Sequence, residues 1–229
     1  MNSDARERLA TAARKCYERG LIFAKNGNLT LRTDEGNILT IPMGICLGNL
    51  SPGDIILTNI EGKILEQSRY LPSIEFYNLH LPVLSARQDI MGIVHTHSPS
   101  IIALSTLKIS SIGPISTEMA LGPGTIPVAE YHNPFEPDFF KSIQDLILNY
   151  DSIILKNHGL IAVGKTIEDA YYLAELSENY AYIYILALKA GGPDLLSTYQ
   201  VQSLIKSKEK ILTPKKHETC QQCGMCEKR

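Results

Sequence analysis

Three histidines and one glutamate form the most reactive set of side chains in this sequence of 229 residues. His95 and His97 end an apolar run, residues 90–97, that predicts a buried strand, and positions i and i+2 of a strand share one face. His158 lies in a tight turn between two apolar segments, and Glu75 stands near the start of a predicted helix. Three imidazoles and a carboxylate can bind zinc or another divalent ion. The alternative is that each histidine is a hydrogen-bonded core or surface residue, because spacing alone does not connect His158 with the other two.

Short strands and helices must position these side chains. The apolar periodicity and turn residues predict hairpins more often than strand–helix–strand units, which disfavours a doubly wound nucleotide-binding sheet. The expected fold class is therefore α/β of the α+β type, with a mostly antiparallel sheet covered by helices. Helices are predicted at 4–19, 72–87, 98–107, 137–150 and 166–191, and strands at 29–32, 38–41, 54–58, 63–65, 90–97, 126–129, 152–156 and 160–163.

The bulk composition is that of a globular protein, with 44% hydrophobic and 20% charged residues. The net charge of -2 gives no reason to expect nucleic acid or an anionic membrane as a partner. No apolar run approaches the roughly 20 residues of a membrane span. The N-terminus is too charged for a signal peptide, and five cysteines, an odd number, do not suggest a disulfide framework. We therefore expect a cytoplasmic protein, with one catalytic domain at 1–205 and a Lys/Cys-rich tail at 206–229.

The end of the tail carries a C-x-x-C-x-x-C run formed by Cys220, Cys223 and Cys226. Three thiolates at this spacing could hold a metal ion or part of an iron–sulfur cluster, and His217 is the nearest candidate for a fourth ligand. The alternative is a flexible tail with reduced thiols. We call residues 217–226 the cysteine-rich tail.

Five segments occur in the order found in a known family, and on them the chain resembles the class II aldolase/adducin family over residues 5–190. The resemblance implies a three-layer α/β/α domain and a homotetramer with active sites at subunit interfaces. It also implies zinc held by His95, His97 and His158, with Glu75 as the fourth ligand. The matching segments are Gly27-Asn28-Leu29-Thr30, Ile41-Pro42-Met43-Gly44, Pro72-Ser73-Ile74-Glu75, Val94-His95-Thr96-His97-Ser98-Pro99 and Leu155-Lys156-Asn157-His158-Gly159.

The resemblance further implies a reaction. A sugar phosphate of the L-fuculose 1-phosphate type would be cleaved into dihydroxyacetone phosphate and an aldehyde through a metal-stabilised enediolate. Glu75, once displaced from the metal, would move a proton at the carbon next to the carbonyl. The positions that match the family's phosphate pocket are Gly27, Asn28, Gly44 and Ser73.

The sequence departs from the family pattern at several substrate positions. Met43 and Ile74 replace residues that usually carry hydroxyl groups, so the requirement for a phosphate stays open. Counting along the chain places Ser116, or Thr117 with a one-residue shift, where the aldolase has its proton-donating tyrosine. Glu118 is close in sequence and could serve as the acid, and Tyr131 is a weaker candidate. Phe135 matches a pocket-lining aromatic residue. The identity of the sugar and of the proton donor is therefore not fixed by the sequence.

Three alternatives to the aldolase reaction follow from the same residues. Other members of the family catalyse 4-epimerisation, dehydration or decarboxylation of sugar phosphates or oxo acids. A zinc hydrolase would use the same ligands, with Glu75 as the base and water as the nucleophile. A non-catalytic interaction domain, like the adducin head, would share the fold but would have no need of the four metal-binding side chains.

Overall fold

The computed structural model describes residues 2–212 of the chain. An eight-stranded sheet runs through it in the order β3-β2-β1-β4-β8-β7-β6-β5, and neighbouring strands are antiparallel except for the β6–β7 pair. The prediction of a mostly antiparallel sheet is therefore confirmed. The strands are β1 Asn28–Arg32, β2 Ile38–Thr40, β3 Ile56–Thr58, β4 Gly92–Thr96, β5 Ser111–Ile112, β6 Ile126–Ala129, β7 Ser152–Leu155 and β8 Gly159–Gly164.

Helices cover both faces of this sheet. The long helix α5 packs on β4 and β8, and α1 and α3 pack beside it on the same face. The helices are α1 Ser3–Glu18, α2 Leu81–Ala86, α3 Pro99–Ser105, α4 Thr117–Leu121, α5 Ile167–Lys189 and α6 Thr198–Leu212, and a π-helical segment, Phe76–His80, leads directly into α2. We call this segment the π turn.

Side-chain alternation along β4 explains the two layers of core. Ile93 belongs to the apolar cluster under the π turn and α2, whereas Val94 belongs to the cluster under α1, α3 and α5. His95 lies two residues beyond Ile93 and therefore faces the π turn. The metal-binding candidates consequently belong to the π-turn face of the sheet.

The prediction of a helix at 137–150 is wrong. Only Phe139–Ser142 forms a short 3-10 helix, and irregular turns follow it. Ile143 and Ile147 are buried at helical spacing, which produced the periodic signal. However, the backbone there mixes i→i+3 bonds, such as Asn149 to Leu146, with i→i+4 bonds, so no regular helix develops.

The predicted boundary at residue 205 falls inside α6, which runs from Thr198 to Leu212. The division into a catalytic domain and a tail stays a prediction, and the cysteine-rich tail lies outside the described residues. Within residues 2–212, no helix is long and apolar enough to cross a bilayer.

Candidate metal centre

The backbone of the sheet orients His95 for metal binding. His95 is fully buried, and its Nδ1 lies 2.8 Å from the carbonyl oxygen of Leu160 on β8. A carbonyl can only accept a hydrogen bond, so Nδ1 carries the proton and Nε2 keeps its lone pair. That Nε2 lies 2.9 Å from the Nε2 of His97, just beyond the end of β4. Both imidazoles therefore aim the same nitrogen at one point.

The turn between β7 and β8 supplies the third imidazole. Asn157 adopts a left-handed conformation, with φ 54°, and the backbone N–H of His158 donates to the carbonyl of Leu155. The ring of His158 packs against Phe139 at 5.6 Å between centroids, nearly parallel. Its Nε2 lies 3.1 Å from Oε1 of Glu75. Turn geometry and stacking together hold this side chain over the sheet.

Gly159 makes the close packing of this turn on β4 feasible. A Cβ at this position would lie 2.2 Å from the carbonyl oxygen of Thr96 and 2.8 Å from Cδ2 of His97. The first of these atoms is backbone and cannot move away cheaply. The absence of a side chain therefore brings the His158 turn close to His97.

Glu75 closes the cluster from the helical side. Its Oε1 lies 3.1 Å from Nε2 of His158 and 3.6 Å from Nε2 of His95, while Oε2 accepts a 2.6 Å hydrogen bond from Nδ2 of Asn28. Burial raises the pKa of Glu75, but electrostatic interaction with His95 and hydrogen bonding to His158 outweigh burial. Its pKa therefore lies well below the usual range, and the carboxylate is ionised.

The imidazoles are in the form that metals bind. Burial, reinforced by repulsion from His95 and His158, lowers the pKa of His97 to about 3. Burial also lowers the pKa of His158, although hydrogen bonding to Glu75 opposes it. Because a protonated imidazole has no free lone pair, the lowered pKa of His97 and of His158 favours metal binding at neutral pH.

The four side chains fit a single divalent ion. Their ligand atoms all lie within 4.8 Å of one another. Metal–ligand bonds of about 2.0–2.2 Å in a tetrahedron imply separations of about 3.3–3.6 Å between ligand atoms. The observed separations of 2.9, 3.1 and 3.6 Å bracket that range. The nitrogen and carboxylate donors suit zinc and other divalent transition metals.

The predicted phosphate-pocket residues lie on different elements of the fold. Gly27, with φ 75°, leads into β1, and a Cβ there would lie 2.8 Å from the carbonyl of His95. The loops that carry Gly44 and Ser73 run side by side, because Pro42 and Pro72 form a β-bridge and Met43 N–H donates to Leu71. Asn28 is buried and bonded to Glu75, a role that its prediction as a phosphate ligand did not include.

Glu118 lies on α4, and Phe135 lies in a loop that contacts the π turn, where Asn78 Nδ2 donates to the carbonyl of Pro134. Glu118 is exposed on α4, where its charge contributes to a raised pKa of Tyr180 on α5, on the opposite face of the sheet from the π turn. Ser116 caps α4 by accepting a hydrogen bond from Met119 N–H. Phe135 is 73% exposed in the loop after β6.

Two neighbours of the site were missed in the sequence. His80 is fully buried, with Nδ1 2.8 Å from Oγ1 of Thr30 and its ring edge-on to His95. Phe139 was read as part of a helix and instead stacks on His158. The spacing of Glu75 and His80, five residues apart, would indicate a shared face only in a π turn.

A helix-covered antiparallel sheet thus presents three imidazoles and a carboxylate, a donor set suited to one divalent metal ion. The family model described as Class II Aldolase and Adducin N-terminal domain matches residues 7–185, and the chain belongs to this family. The predicted family, fold and enzyme class are thereby confirmed.

Individual relatives point to more than one reaction. The chain is 31% identical over 175 residues to an L-fuculose phosphate aldolase of Methanococcus maripaludis, covering 76% of this chain and 92% of that protein. It is 28% identical over 186 residues to a 3-oxo-tetronate 4-phosphate decarboxylase of Escherichia coli strain K12, covering 79% and 86%. A solved L-fuculose 1-phosphate aldolase superposes with a TM-score of 0.83 at 26% identity, covering 91% of this chain and 98% of that one.

Proposed function

We propose that this enzyme cleaves a carbon–carbon bond of a sugar phosphate and releases dihydroxyacetone phosphate and an aldehyde. The observation that carries the proposal is the placement of an ionised carboxylate, Glu75, 3.1 Å from His158 within a cluster of three imidazoles. The similarity to two L-fuculose phosphate aldolases, one by sequence and one by structure, supports this choice of reaction.

His95, His97 and His158 would hold the ion, with Glu75 as the fourth ligand. A bound divalent ion, zinc in our proposal, supplies Lewis-acid stabilisation of negative charge on the substrate oxygens. Leu160 fixes the tautomer of His95, as described above, and Asn28 holds one oxygen of Glu75 in place.

Aldol cleavage requires two proton movements. The hydroxyl on the departing carbon must lose its proton as the carbon–carbon bond breaks, and the electron pair stays on the carbon next to the carbonyl, which then takes up a proton. Glu75 is the ionised, largely buried base of the cluster, and we assign to it the removal of a proton from the carbon next to the carbonyl in the condensation direction; in the cleavage direction it would first take up a proton from solvent and then deliver it to that carbon. For the proton at the departing oxygen we propose Glu118 of a neighbouring copy, in keeping with an interfacial site in a homotetramer.

The phosphate would bind to Gly27, Asn28, Gly44 and Ser73, with Phe135 lining the outer pocket. Gly44 has φ 81° and open space around the position of a Cβ, so an anion could approach its backbone N–H closely. Met43 and Ile74 are 61% and 40% exposed beside these residues and offer no hydroxyl group. We therefore expect weaker phosphate binding than hydroxyl residues at these two positions would give.

Decarboxylation of an oxo-acid phosphate is the second candidate. It is favoured by the similarity to the Escherichia coli decarboxylase over 79% of the chain. Both reactions break a bond next to a carbonyl group and leave the electron pair on carbon, so the same cluster could serve either. They differ in whether an aldehyde or carbon dioxide leaves.

One assay separates these reactions. Zinc-loaded protein is incubated with L-fuculose 1-phosphate, 5-deoxy-D-ribulose 1-phosphate or 3-oxo-tetronate 4-phosphate, and dihydroxyacetone phosphate and carbon dioxide are both measured. We expect dihydroxyacetone phosphate with a ketose 1-phosphate, and its loss in Glu75→Gln and on chelation. Carbon dioxide from the oxo acid, without release of an aldehyde from either ketose 1-phosphate, would select the second candidate. Full cleavage by metal-free protein would contradict the proposed function.

A further inference from the structure

Strand β1 and the π turn form one wall of the metal centre. Asn28 and Thr30 are both buried, and they lie two residues apart on β1, so their side chains point to the same face. Asn28 donates to Oε2 of Glu75 at 2.6 Å, and Thr30 lies 2.8 Å from Nδ1 of His80. One strand thus binds the residues at both ends of the π turn.

The π-helical geometry allows Glu75 and His80 to form hydrogen bonds with the same strand. Glu75 immediately precedes the π turn and His80 ends it, so they are five residues apart. In an α-helix, with 3.6 residues per turn, positions five apart would point about 140° away from each other. A π turn closes its hydrogen bonds from i to i+5, as Leu81 N–H does with Phe76 O, and so brings such positions back to one side.

The hydroxyl of Thr30 belongs to a short buried polar chain in an otherwise apolar layer. Its Oγ1 lies 3.3 Å from Oγ1 of Thr40 on the neighbouring strand β2 and 2.8 Å from His80. The layer around it is built from apolar residues such as Ile38, Ile93 and Phe76. Burying polar groups in such a layer costs free energy unless they form hydrogen bonds. An apolar contact would hold the π turn against the sheet without this cost.

We propose that Thr30 and His80 are positioning residues for Glu75, because their hydrogen bond fixes the far end of the π turn and thereby the place of the carboxylate in the metal centre. This inference rests on the metal-binding role of Glu75 in the proposed function. It assigns His80 no contact with substrate. The ring of His80 also stands edge-on to His95, with centroids 6.4 Å apart, so the same residue supports a second ligand by packing.

The test compares matched threonine variants. Thr30→Val removes the hydroxyl at nearly constant volume, and Thr30→Ser keeps it. Thr58→Val is the control, because Thr58 is a fully buried strand residue whose hydroxyl bonds only to the carbonyl of Ile38. The readout is the zinc dissociation constant of the full chain, from competition with a chromogenic chelator, together with the melting temperature.

We expect Thr30→Val to weaken zinc binding about tenfold, as for other residues that orient a metal ligand. Thr30→Ser and Thr58→Val should stay within about twofold of the wild type, even if Thr58→Val melts at a lower temperature. In a Glu75→Gln background, Thr30→Val should raise the zinc dissociation constant by no more than about twofold, because the carboxylate through which Thr30 acts is gone.

Other outcomes overturn the inference. Unchanged affinity in Thr30→Val, an equal loss in Thr58→Val, or an undiminished effect in the Glu75→Gln background would each contradict it while leaving the metal site intact. A wild-type chain that binds no zinc would instead defeat the proposed function and this inference together. If Thr30→Val does not fold, His80→Asn, which keeps a nitrogen near Nδ1, is compared with His80→Leu, and only the second should weaken binding.

Discussion

Gly159→Ala is the substitution whose effect follows most directly from the geometry of the metal centre. The added Cβ would lie 2.2 Å from the carbonyl oxygen of Thr96 and 2.8 Å from Cδ2 of His97. Since backbone oxygen atoms do not approach Cβ atoms so closely, the β8 backbone or the ring of His97 must shift. Overpacking of this kind typically costs about 1–3 kcal/mol of stability. For a chain of this size, the melting temperature should fall by about 2–12 °C.

The substitution should also weaken metal binding, and this loss of metal-induced stabilisation adds to the stability lost through overpacking. A displacement of about 1 Å in a catalytic arrangement can cost about 100-fold, and we expect zinc affinity to fall on this scale when His97 moves. Stabilisation by a bound ligand grows as the logarithm of its concentration over the dissociation constant, so a 100-fold weaker site loses about 2.7 kcal/mol of metal-induced stabilisation. The metal-free proteins should differ only by the overpacking term.

Thermal unfolding with excess zinc and with chelator separates the cost of overpacking from the loss of metal-induced stabilisation. Gly53→Ala is the matched control, because Gly53 is exposed and the nearest heavy atom to its Cβ position is Oγ of Ser51 at 3.9 Å. We expect zinc to raise the melting temperature of the wild type and of Gly53→Ala equally, and that of Gly159→Ala much less. If Gly159→Ala melts earlier but keeps the full zinc-induced shift, the assigned role of Gly159 in placing His97 is refuted.

Four further predictions follow from the same structure. Asn28→Ala removes the hydrogen bond to Glu75 and should weaken zinc binding about tenfold in a chelator competition, whereas an unchanged constant would contradict the positioning role. Burial raises the pKa of the Cys16 thiol to about 12, so a thiol reagent at pH 8 should leave Cys16 unlabelled until denaturant is added, as peptide mapping can check. Burial lowers the pKa of His80 and His97 to about 3, and between about pH 6.5 and that value the unfolded chain binds protons that the folded chain does not. The free energy of unfolding of the metal-free protein should therefore fall as the pH is lowered through this window, and chemical denaturation at pH 7 and pH 5 that gave equal stabilities would argue against buried neutral histidines. Metal analysis of the full chain should find a second equivalent of zinc or iron if the cysteine-rich tail binds metal, and only one equivalent after truncation at residue 212.

The sequence was sufficient to bring the four metal-binding candidates together. A strand alternates with a period of two, so the placement of His95 and His97 on one side followed from spacing. Glu75 and His158 were joined to them through the family resemblance, because no local rule connects residues so far apart in the chain. The structure then supplied what neither source contained, namely the hydrogen bond from Asn28 and the tautomer set by Leu160.

The failures of sequence reasoning have physical causes. The π turn differs from an α-helix by a small widening of the backbone, which leaves the apolar pattern of 72–87 almost unchanged, so the predicted helix did not connect His80 with Glu75. At 137–150 the buried spacing is helical while the backbone is not. In both places, tertiary contacts decide between conformations of nearly equal local energy.

The metal centre and the substrate pocket differ in how firmly the fold determines them, and this explains why the metal is easier to infer than the reaction. His95 is fixed by the sheet backbone and His158 by a turn, so any member of the fold that keeps these elements can keep the ion. Met43 and Ile74 lie on exposed loops, where side chains change without disturbing the core. Exchange of Met43 or Ile74 for a hydroxyl residue should therefore alter the preference for phosphorylated substrates while leaving zinc affinity unchanged.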